Sequence, residues 1–246
     1  MNQYSDWIFK INSIKKSFYG KTSYQSPDLV FNEIYIQRGS LTIITGETGI
    51  GKTTLLNMLG LMDEMTIQEP DDILFKPFSK ARPISYQKII NDNPSDIEKL
   101  RYRYYGFMFQ QDHLIDSMTG WENVILPYLL RYPKSNVTIA KNKAEKLIDE
   151  CKFDDMLHGL MDRSPSTYSG GQRHRAALIR SLIHDPTAIF ADEPLASVDK
   201  QTARDIVTIL ARQSQKGKTI IMVVHDTHEY IFEGIQVNKI ELKVQD

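Results

Sequence analysis

The chain has 246 residues, of which 41% are hydrophobic and 25% charged, a balance that excludes a disordered or fibrous protein. This length allows one large α/β domain, or a core with a smaller lobe inserted into it. The formal net charge is −1, so the chain lacks the global positive field that holds a nucleic-acid backbone. We therefore expect no nucleic-acid partner.

Neither export nor membrane insertion is indicated by the sequence. Residues 1–20 contain no continuous apolar stretch of the kind found in signal peptides. No segment approaches the roughly 20 apolar residues that a membrane-spanning helix needs. Cys151 is the only cysteine, which excludes an intrachain disulfide and fits a reducing compartment. We expect a cytoplasmic protein that reaches a membrane only through a partner.

The first part of the chain is predicted to be rich in strands. β-branched and aromatic residues predict strands at residues 8–14 and 29–37. Leu41–Thr45 is apolar except for its threonines, which indicates a strand buried on both faces. Leucines at helical spacing predict a helix over residues 52–61. The acidic, proline-containing stretch 63–77 then marks a loop or lobe boundary.

The rest of the chain changes from a helical pattern to alternating strands and helices. Residues 84–183 are mainly helical in pattern, and buried strands are predicted at 187–191 and 219–224 with a helix at 201–213 between them. Strand, helix and strand in this order imply a parallel sheet. We expect a single α/β domain, with a core of about residues 1–85 and 186–246 and a helical lobe of about residues 86–185.

A glycine-rich segment follows the buried Leu41–Thr45 strand and precedes a predicted helix. It fits the pattern G-x-x-x-x-G-K-[ST] with Gly46, Glu47, Thr48, Gly49, Ile50, Gly51, Lys52 and Thr53, and Thr54 completes the expected binding set. Glycines let such a loop wrap a polyphosphate, and the helix adds positive charge at its N-terminus. Lys52 then binds the terminal phosphates and Thr53 ligates magnesium. The segment predicts a P-loop that binds ATP and Mg²⁺.

Two adjacent carboxylates end the predicted strand 187–191. Asp192 and Glu193 are expensive to bury in an apolar setting unless a cation or a substrate balances them. Asp192 suits the magnesium shell, and Glu193 suits a base that orients and deprotonates an attacking water. Alone, this pair is more typical of a helix cap or a solvated turn. Together with the P-loop, we interpret it as catalytic.

A third segment predicts a second anion site at a helix start. Ser169 is a plausible N-cap, and the glycines that follow it let the backbone approach a ligand closely; the segment consists of Ser169, Gly170, Gly171 and Gln172. Spacing alone does not show whether this segment and the P-loop meet one nucleotide. We interpret the basic residues on the same helix as a solvated face; they are Arg173, His174, Arg175 and Arg180.

Taken together, these motifs resemble those of the ATP-binding-cassette (ABC) ATPases, in the same order and over almost the whole chain. They are the P-loop, Gln110 after residues 105–109, Ser169 to Gln172, Asp192 with Glu193, residues 196–199 and His225. The resemblance implies a RecA-like core with an antiparallel β subdomain and a helical lobe. It also implies a homodimer that closes head to tail around two ATP molecules, with the signature Ser169 to Gln172 acting on the partner's nucleotide.

The resemblance implies roles for four further positions. Gln110 would contact magnesium and water while reporting to integral membrane transporter subunits. Asp199 would shape the dimer interface, and His225 would contact the γ-phosphate. Phe18 lies where the family places an aromatic residue that stacks on adenine, with its neighbour Tyr19 as the alternative and a core position as a further one.

Residues 100–110 and 120–127 are similar to a subgroup that includes lipoprotein-releasing and macrolide-exporting ATPases and their cell-division relative. Tyr168 stands where leucine is usual, and residues 195–199 depart from the Thr-Gly-x-Leu-Asp run of that subgroup. A single cassette without spans favours the motor subunit of a transporter. The alternatives are a soluble cassette ATPase acting on DNA or ribosomes, and a nucleotide switch that hydrolyses little, which the intact Glu193 disfavours.

Overall fold

The chain forms eleven strands and seven α-helices within the residues that this computed structural model describes, which are 6–12, 14–16, 29–31, 33–63, 72–156 and 159–243. The strands are β1 (Trp7–Ile11), β2 (Ile14–Lys16), β3 (Leu29–Phe31), β4 (Ile34–Gln37), β5 (Leu41–Thr45), β6 (Ile73–Phe75), β7 (Ile84–Ser85), β8 (Tyr105–Met108), β9 (Ala188–Asp192), β10 (Thr219–Val223) and β11 (Asn238–Glu241).

The helices are concentrated in the middle of the chain. They are α1 (Lys52–Leu59), α2 (Tyr86–Asp92), α3 (Asp96–Tyr104), α4 (Gly120–Arg131), α5 (Val137–Cys151), α6 (Gly170–Leu182) and α7 (Lys200–Gln215). Within the described ranges, none of these helices is both long enough and apolar enough to cross a bilayer.

The central sheet is parallel and holds five strands in the spatial order β11-β5-β10-β9-β8. Its three central strands, β5, β10 and β9, are buried on both faces, because the side chains that alternate along each strand enter a core on either side, whereas the edge strand β11 is partly exposed. In β10, Ile220 and Met222 enter one core, and Ile221 and Val223 enter the other. The first core is shared with α4 to α7, and the second with α1 to α3 and an antiparallel sheet. The fold therefore has layers on both faces of the parallel sheet.

The second sheet is antiparallel, with the order β4-β1-β6-β7. Aromatic side chains join it to the central sheet: the rings of Phe9 and Phe75 stack at 5.0 Å, and Tyr105 of β8 contacts Phe75 edge to face at 5.1 Å. Strands β2 and β3 pair separately. Each predicted early strand, 8–14 and 29–37, is therefore two strands, because its two halves pair with different partners.

Strand β8 lies inside the range 86–185 that we expected to form a helical lobe. It pairs with β9 at the edge of the central sheet, so that range contributes one strand to the core. A Cβ on Gly106 would overlap the backbone carbonyl oxygen of Ser181, so α6 packs directly on the strand at this point. The sequence did not reveal the strand because four residues with a central glycine, directly after a helix, carry a weak strand pattern.

The stretch 63–77, predicted as a loop or lobe boundary, contains strand β6 (Ile73–Phe75), which pairs with β1. The remaining predicted elements agree closely with the structure. The predicted strand Leu41–Thr45 is confirmed at both ends, and the predicted helix 201–213 is part of α7. The helix predicted over 52–61 ends earlier, at Leu59, because Gly60 caps it and Leu61 takes a positive φ of 55°. These elements place the phosphate-binding sequence between a buried strand and a helix, as expected.

Candidate functional site

Four predicted site segments lie at one edge of the central sheet. The P-loop sequence follows β5, Asp192 ends β9, Gln110 comes two residues after β8, and His225 comes two residues after β10. Because these strands are parallel, their carboxyl ends meet at the same edge, which is where open α/β sheets bind ligands. The fold therefore brings the predicted catalytic segments to one edge.

The P-loop needs glycine at three positions. Gly46, Gly49 and Gly51 have φ angles of 140°, 85° and 101°, a region that residues with a Cβ rarely adopt. A Cβ on Gly46 would also lie 2.6 Å from the backbone oxygen of Leu242, on the strand-to-terminus segment beside the loop. The loop conformation thus explains the glycine spacing from which the P-loop was predicted.

The side chain of Lys52 is held at the mouth of the loop. Its Nζ donates hydrogen bonds to the backbone oxygens of Gly46 at 2.7 Å and of Glu47 at 2.9 Å, and Lys52 is only 7% exposed. An ammonium group has three donors, so one remains for a ligand. A positive charge is therefore fixed beside the N-terminus of α1, where the helix dipole also favours an anion.

A hydrogen bond joins the P-loop helix to β9. Thr53 Oγ1 donates to Asp192 Oδ1 at 2.9 Å, across 139 residues of sequence and past the intervening strand β10. Burial raises the pKa of Asp192 above its ordinary value; Thr53 opposes this shift and the charge of Glu193 adds to it. A carboxylate in this setting gains from a nearby cation. Both oxygens are the hard ligands that Mg²⁺ prefers.

Glu193 has an unusual backbone. Its φ angle is 43°, a left-handed conformation that costs a residue with a side chain about 1–3 kcal/mol. The backbone holds this conformation, because Glu193 N–H donates to Val223 O at 3.2 Å and Ala196 N–H donates to Glu193 O at 3.2 Å. Strain of this kind is found at functional sites. This left-handed residue ends the extended backbone of β9 at Asp192.

Glu193 and His225 line the same small cavity. Its volume is about 10 Å³, and Ala196, Val224 and His228 also contribute to its wall. This volume is close to the smallest space that holds one water molecule. The two predicted catalytic residues are thus adjacent to a space of the size that an attacking water needs. His225 is exposed, and so is Gln110, which follows β8 at the same edge of the sheet.

The signature segment begins α6 with a capping box. Gln172 N–H donates to Ser169 Oγ at 3.3 Å, and Ser169 N–H donates to Gln172 Oε1 at 2.9 Å. These two bonds satisfy helix-end donors reciprocally. Ser169 and Gly170 are exposed. Within the part of the chain that the structure describes, no hydrogen bond joins this segment to the P-loop.

Arg173 and Arg180 fasten α6 to the segment after Gln110. Arg173 Nε and Nη2 donate to the two carboxylate oxygens of Asp112, each at 2.8 Å, and Arg173 Nη1 donates to Asp116 at 3.1 Å. Arg180 donates to the backbone oxygens of Asp112 and His113. Burial raises the pKa of Asp112, but the bonds from Arg173 and the Leu114 N–H outweigh this effect and leave it below the ordinary value.

The interpretation of the basic cluster as a solvated face is wrong. Arg173 and Arg180 make these bonds, His174 is 4% exposed with Nδ1 on the backbone oxygen of Gly170, and Arg175 pairs with Asp155 at 3.0 Å. Sequence reasoning missed the Asp112 contact because its two partners are 61 residues apart. No local spacing signal reports such a pair.

Tyr168, which departs from the family pattern, also supports the signature. Its hydroxyl donates to Leu160 O at 2.9 Å, and a Cβ on Gly120 would overlap that hydroxyl. Gly120 in turn begins α4, and its N–H donates to Arg163 O at 3.0 Å. Tyr168, the residue before Ser169, is therefore anchored against the start of α4.

Asp199 caps the start of α7 next to the signature. Its Oδ1 accepts from the N–H groups of Gln201 at 2.9 Å and Thr202 at 3.0 Å, and Thr202 Oγ1 donates to Oδ2 at 2.6 Å. A Cβ on Gly171 would lie 3.4 Å from Thr202 Oγ1, so the starts of α6 and α7 are neighbours. The predicted adenine-stacking residues, Phe18 and Tyr19, lie outside the described residues.

The fold and the loop geometry define a P-loop nucleotide-binding protein. Comparison with known proteins identifies the family. The family described as ABC transporter matches residues 32–196. An uncharacterized ABC transporter ATP-binding protein of Methanocaldococcus jannaschii is 35% identical over 208 residues, which cover 85% of each chain. The chain therefore belongs to the ABC transporter family, as its motifs indicated.

Two other relatives agree with the predicted subgroup. The lipoprotein-releasing system ATP-binding protein LolD of Aquifex aeolicus is 34% identical over 192 residues, covering 78% of this chain and 77% of that protein. The macrolide export ATP-binding/permease protein MacB of Bartonella henselae is 32% identical over 191 residues, covering 78% of this chain but only 26% of MacB. The chain thus spans about a quarter of the MacB length.

A solved structure confirms the predicted fold class. A bacterial ABC transporter cassette, described as dimeric, superposes with a TM-score of 0.75 at 24% identity, covering 95% of this chain and 94% of that one. At this identity the likeness concerns the fold.

Proposed function

We propose that this chain is the ATP-hydrolysing motor subunit of an ABC transporter and drives a separately encoded membrane protein. The observation that carries the proposal is the 2.9 Å hydrogen bond from Thr53 to Asp192. It joins the phosphate loop to the strand that ends in two carboxylates. It places Thr53 and Asp192 together, directly beside the strained Glu193.

The P-loop supplies the binding of the phosphates in this proposal. Residues Gly46 to Thr54 offer backbone N–H groups and the start of α1, and Lys52 Nζ keeps one donor for the terminal phosphates. Lys52 is positioned by its own loop, so binding requires little rearrangement of that side chain. Phe18 or Tyr19 would stack on the adenine.

The oxygen pair of Thr53 and Asp192 fits a magnesium ion, with the amide of Gln110 as a third candidate ligand from the same sheet edge. Bound Mg²⁺ neutralises charge that develops on the phosphates during transfer. Asp192 is the residue best placed to hold it, because its half-buried carboxylate forms no ion pair with a lysine or an arginine among the described residues.

Glu193 acts as the general base, and His225 contacts the γ-phosphate. Support comes from the cavity that both residues line, whose volume of about 10 Å³ suits one water. Glu193 accepts a proton from this water as it attacks the γ-phosphate, and ADP leaves with the phosphate as the other product. General-base assistance typically contributes about 10²–10⁴ in rate.

The signature needs a second copy of the chain in this proposal. Ser169 and Gln172 satisfy each other, and a Cβ on Gly170 would meet no atom within 4 Å. Packing inside one protomer therefore does not explain that glycine. We infer that residues Ser169 to Gln172 of one protomer approach the γ-phosphate bound at Lys52 of another, in a homodimer.

The partner of this homodimer would be an integral membrane protein. Support comes from the relatives, two of which are named as components of export or lipoprotein-releasing systems. The chain would then sit at the cytoplasmic face of the membrane through that partner.

The decisive experiment measures ATP turnover and dimerisation of three forms. The wild type should hydrolyse ATP, and Glu193→Gln should bind ATP, lose turnover and accumulate as an ATP-bound dimer in size-exclusion chromatography. Lys52→Ala is the matched control, since it should lose ATP binding in calorimetry and stay monomeric under the same conditions. If Glu193→Gln keeps full turnover, Glu193 is not the general base.

A second experiment addresses the transport role. The tagged chain is extracted from its native membranes in mild detergent, and proteins that copurify in stoichiometric amount are identified by mass spectrometry. A polytopic membrane protein is the expected result. Recovery of ribosomes or DNA instead would contradict the transport role while leaving the hydrolysis assignment in place.

A further inference from the structure

One connection in the helical lobe concentrates exposed apolar side chains. Four of the nine large hydrophobic residues that are exposed in the described part of the chain lie within residues 130–139, which comprise the end of α4, the turn after it and the start of α5. They are Leu130, Tyr132, Val137 and Ile139, each between 37% and 55% exposed. We call residues 130–139 the helix connection. Eight of its ten residues are exposed, so it projects into solvent.

These side chains are not explained by the core of the lobe. Helix α5 packs inward through Ala140, Ala144 and Ile148, each fully buried, while Val137 and Ile139 at its first turn point outward. Exposed large side chains scattered singly need no explanation, but a cluster on one projection indicates a contact surface.

The helix connection is also positively charged. No acidic residue occurs between Glu122 and Glu145, whereas the whole chain has a net charge of −1. Lys134 lies exposed in the connection, and Lys143 lies in the second turn of α5 with its Nζ 5.1 Å from the centre of the Tyr128 ring. Arg131 also lies in the connection, but its Nε donates to the Tyr132 hydroxyl at 2.9 Å and its Nη1 is buried. Lys141 lies instead over Trp121, where its charge faces Glu122.

The nearest acidic group does not neutralise this surface. The charges of Arg131 and Lys143 act on Asp185, but Asp185 already forms an ion pair with Lys218. Two cations, Lys134 and Lys143, therefore remain beside four exposed apolar side chains. This combination on an exposed turn matches an interfacial membrane contact, in which apolar side chains enter the headgroup region and cations face anionic lipids.

We propose that the helix connection, with Lys143, binds the surface of an anionic lipid bilayer directly. Exposed apolar side chains beside cations, in a segment without acidic residues, fit an anionic lipid surface, whereas the core of a protein interface is depleted of charged residues. The contact would orient the lobe against the membrane. It does not depend on nucleotide hydrolysis, so it can fail while the proposed function stands.

The test uses the purified full-length chain and flotation with vesicles of phosphatidylcholine alone or with about 30% phosphatidylglycerol. We expect binding only to the anionic vesicles, and less at 0.5 M salt, since such attraction is screened. Lys134→Gln with Lys143→Gln should lower the partition coefficient about 25-fold, because each cation near an anionic surface contributes about a factor of five. Leu130→Ser with Ile139→Ser should lower it at least about tenfold.

The matched control replaces exposed residues of the same types elsewhere. Phe78→Ser and the pair Lys80→Gln with Lys88→Gln should leave vesicle binding unchanged. All variants should keep wild-type ATPase activity and thermal melts, which separates lost binding from lost folding. Equal binding to neutral vesicles, no binding, or equal loss in the controls would overturn the proposal.

Two other occupants of the surface give distinct outcomes. If the helix connection pairs with a second copy, the connection variants will abolish a dimer seen by light scattering without lipid. If it docks on the membrane partner, they will lose copurification of that protein in detergent yet bind vesicles like the wild type. Either result refutes a lipid-binding surface.

Discussion

The ion pair between Arg173 and Asp112 gives the most informative perturbation of the lobe. Asp112 is 11% exposed at its side chain, and Arg173 is 24% exposed. Arg173→Gln removes two of the three hydrogen bonds made by the Asp112 carboxylate and leaves only the one from the Leu114 N–H at 3.0 Å. A buried carboxylate without its cation is costly.

The expected magnitude follows from this geometry. Breaking a fully buried pair costs about 3–5 kcal/mol, but Arg173 is partly exposed and the charge of Arg180 still acts near Asp112. We therefore expect Arg173→Gln to lower the free energy of unfolding by about 2–3 kcal/mol in urea melts. Arg173→Lys should keep only part of the stability that Arg173→Gln loses, because a lysine cannot bind both carboxylate oxygens as the guanidinium does.

A double-mutant cycle tests the reasoning. Asp112→Asn in the Arg173→Gln background should cost much less than in the wild type, with a coupling energy of about 1.5–2 kcal/mol. Arg175→Gln, two residues along the same helix, is the control and should cost about 1 kcal/mol or less, since its partner Asp155 is 48% exposed. Single effects that add within about 0.5 kcal/mol would refute the buried pair.

Three other predictions can be tested with the same melts. Gly106→Ala should cost about 3 kcal/mol or more, because its Cβ would overlap the backbone oxygen of Ser181. Gly170→Ala, whose Cβ meets no atom within 4 Å, should leave stability unchanged while lowering ATPase activity; a loss of stability would contradict a role outside the protomer. Burial lowers the pKa of His184 from 6.5 to about 4, so between these pH values the unfolded chain takes up a proton that the folded chain rejects. Stability should therefore fall by about 3 kcal/mol as pH drops through this window, and His184→Gln should flatten that part of the curve.

The parts of the fold that were predictable are those with strong local patterns. Leu41–Thr45 is wholly buried and alternates between two cores, so composition alone identified it. The two early strands were predicted as units, yet each is divided between two sheets. Strand pairing is a non-local property, and no residue within 8–14 or 29–37 reports which partner strand lies beside it.

The predictable part of the site is likewise the part carried by one continuous segment. The P-loop glycines were predicted from spacing, and their φ angles explain that spacing. The hydrogen bond between Thr53 and Asp192 was implied only by assigning magnesium to both. Glu193 was predicted as a base, but its positive φ was not, because the sequence Asp-Glu-Pro has no glycine to mark a left-handed residue.

The geometry divides the site into two supported halves. On the core, backbone hydrogen bonds hold Glu193 in its strained conformation, and Thr53 holds Asp192, so the carboxylates are arranged before any ligand arrives. On the lobe, Arg173 ties the signature helix to Asp112, which comes two residues after Gln110. We infer that the lobe and Gln110 move as one body. The loss of Arg173 should therefore impair this joint movement as well as stability.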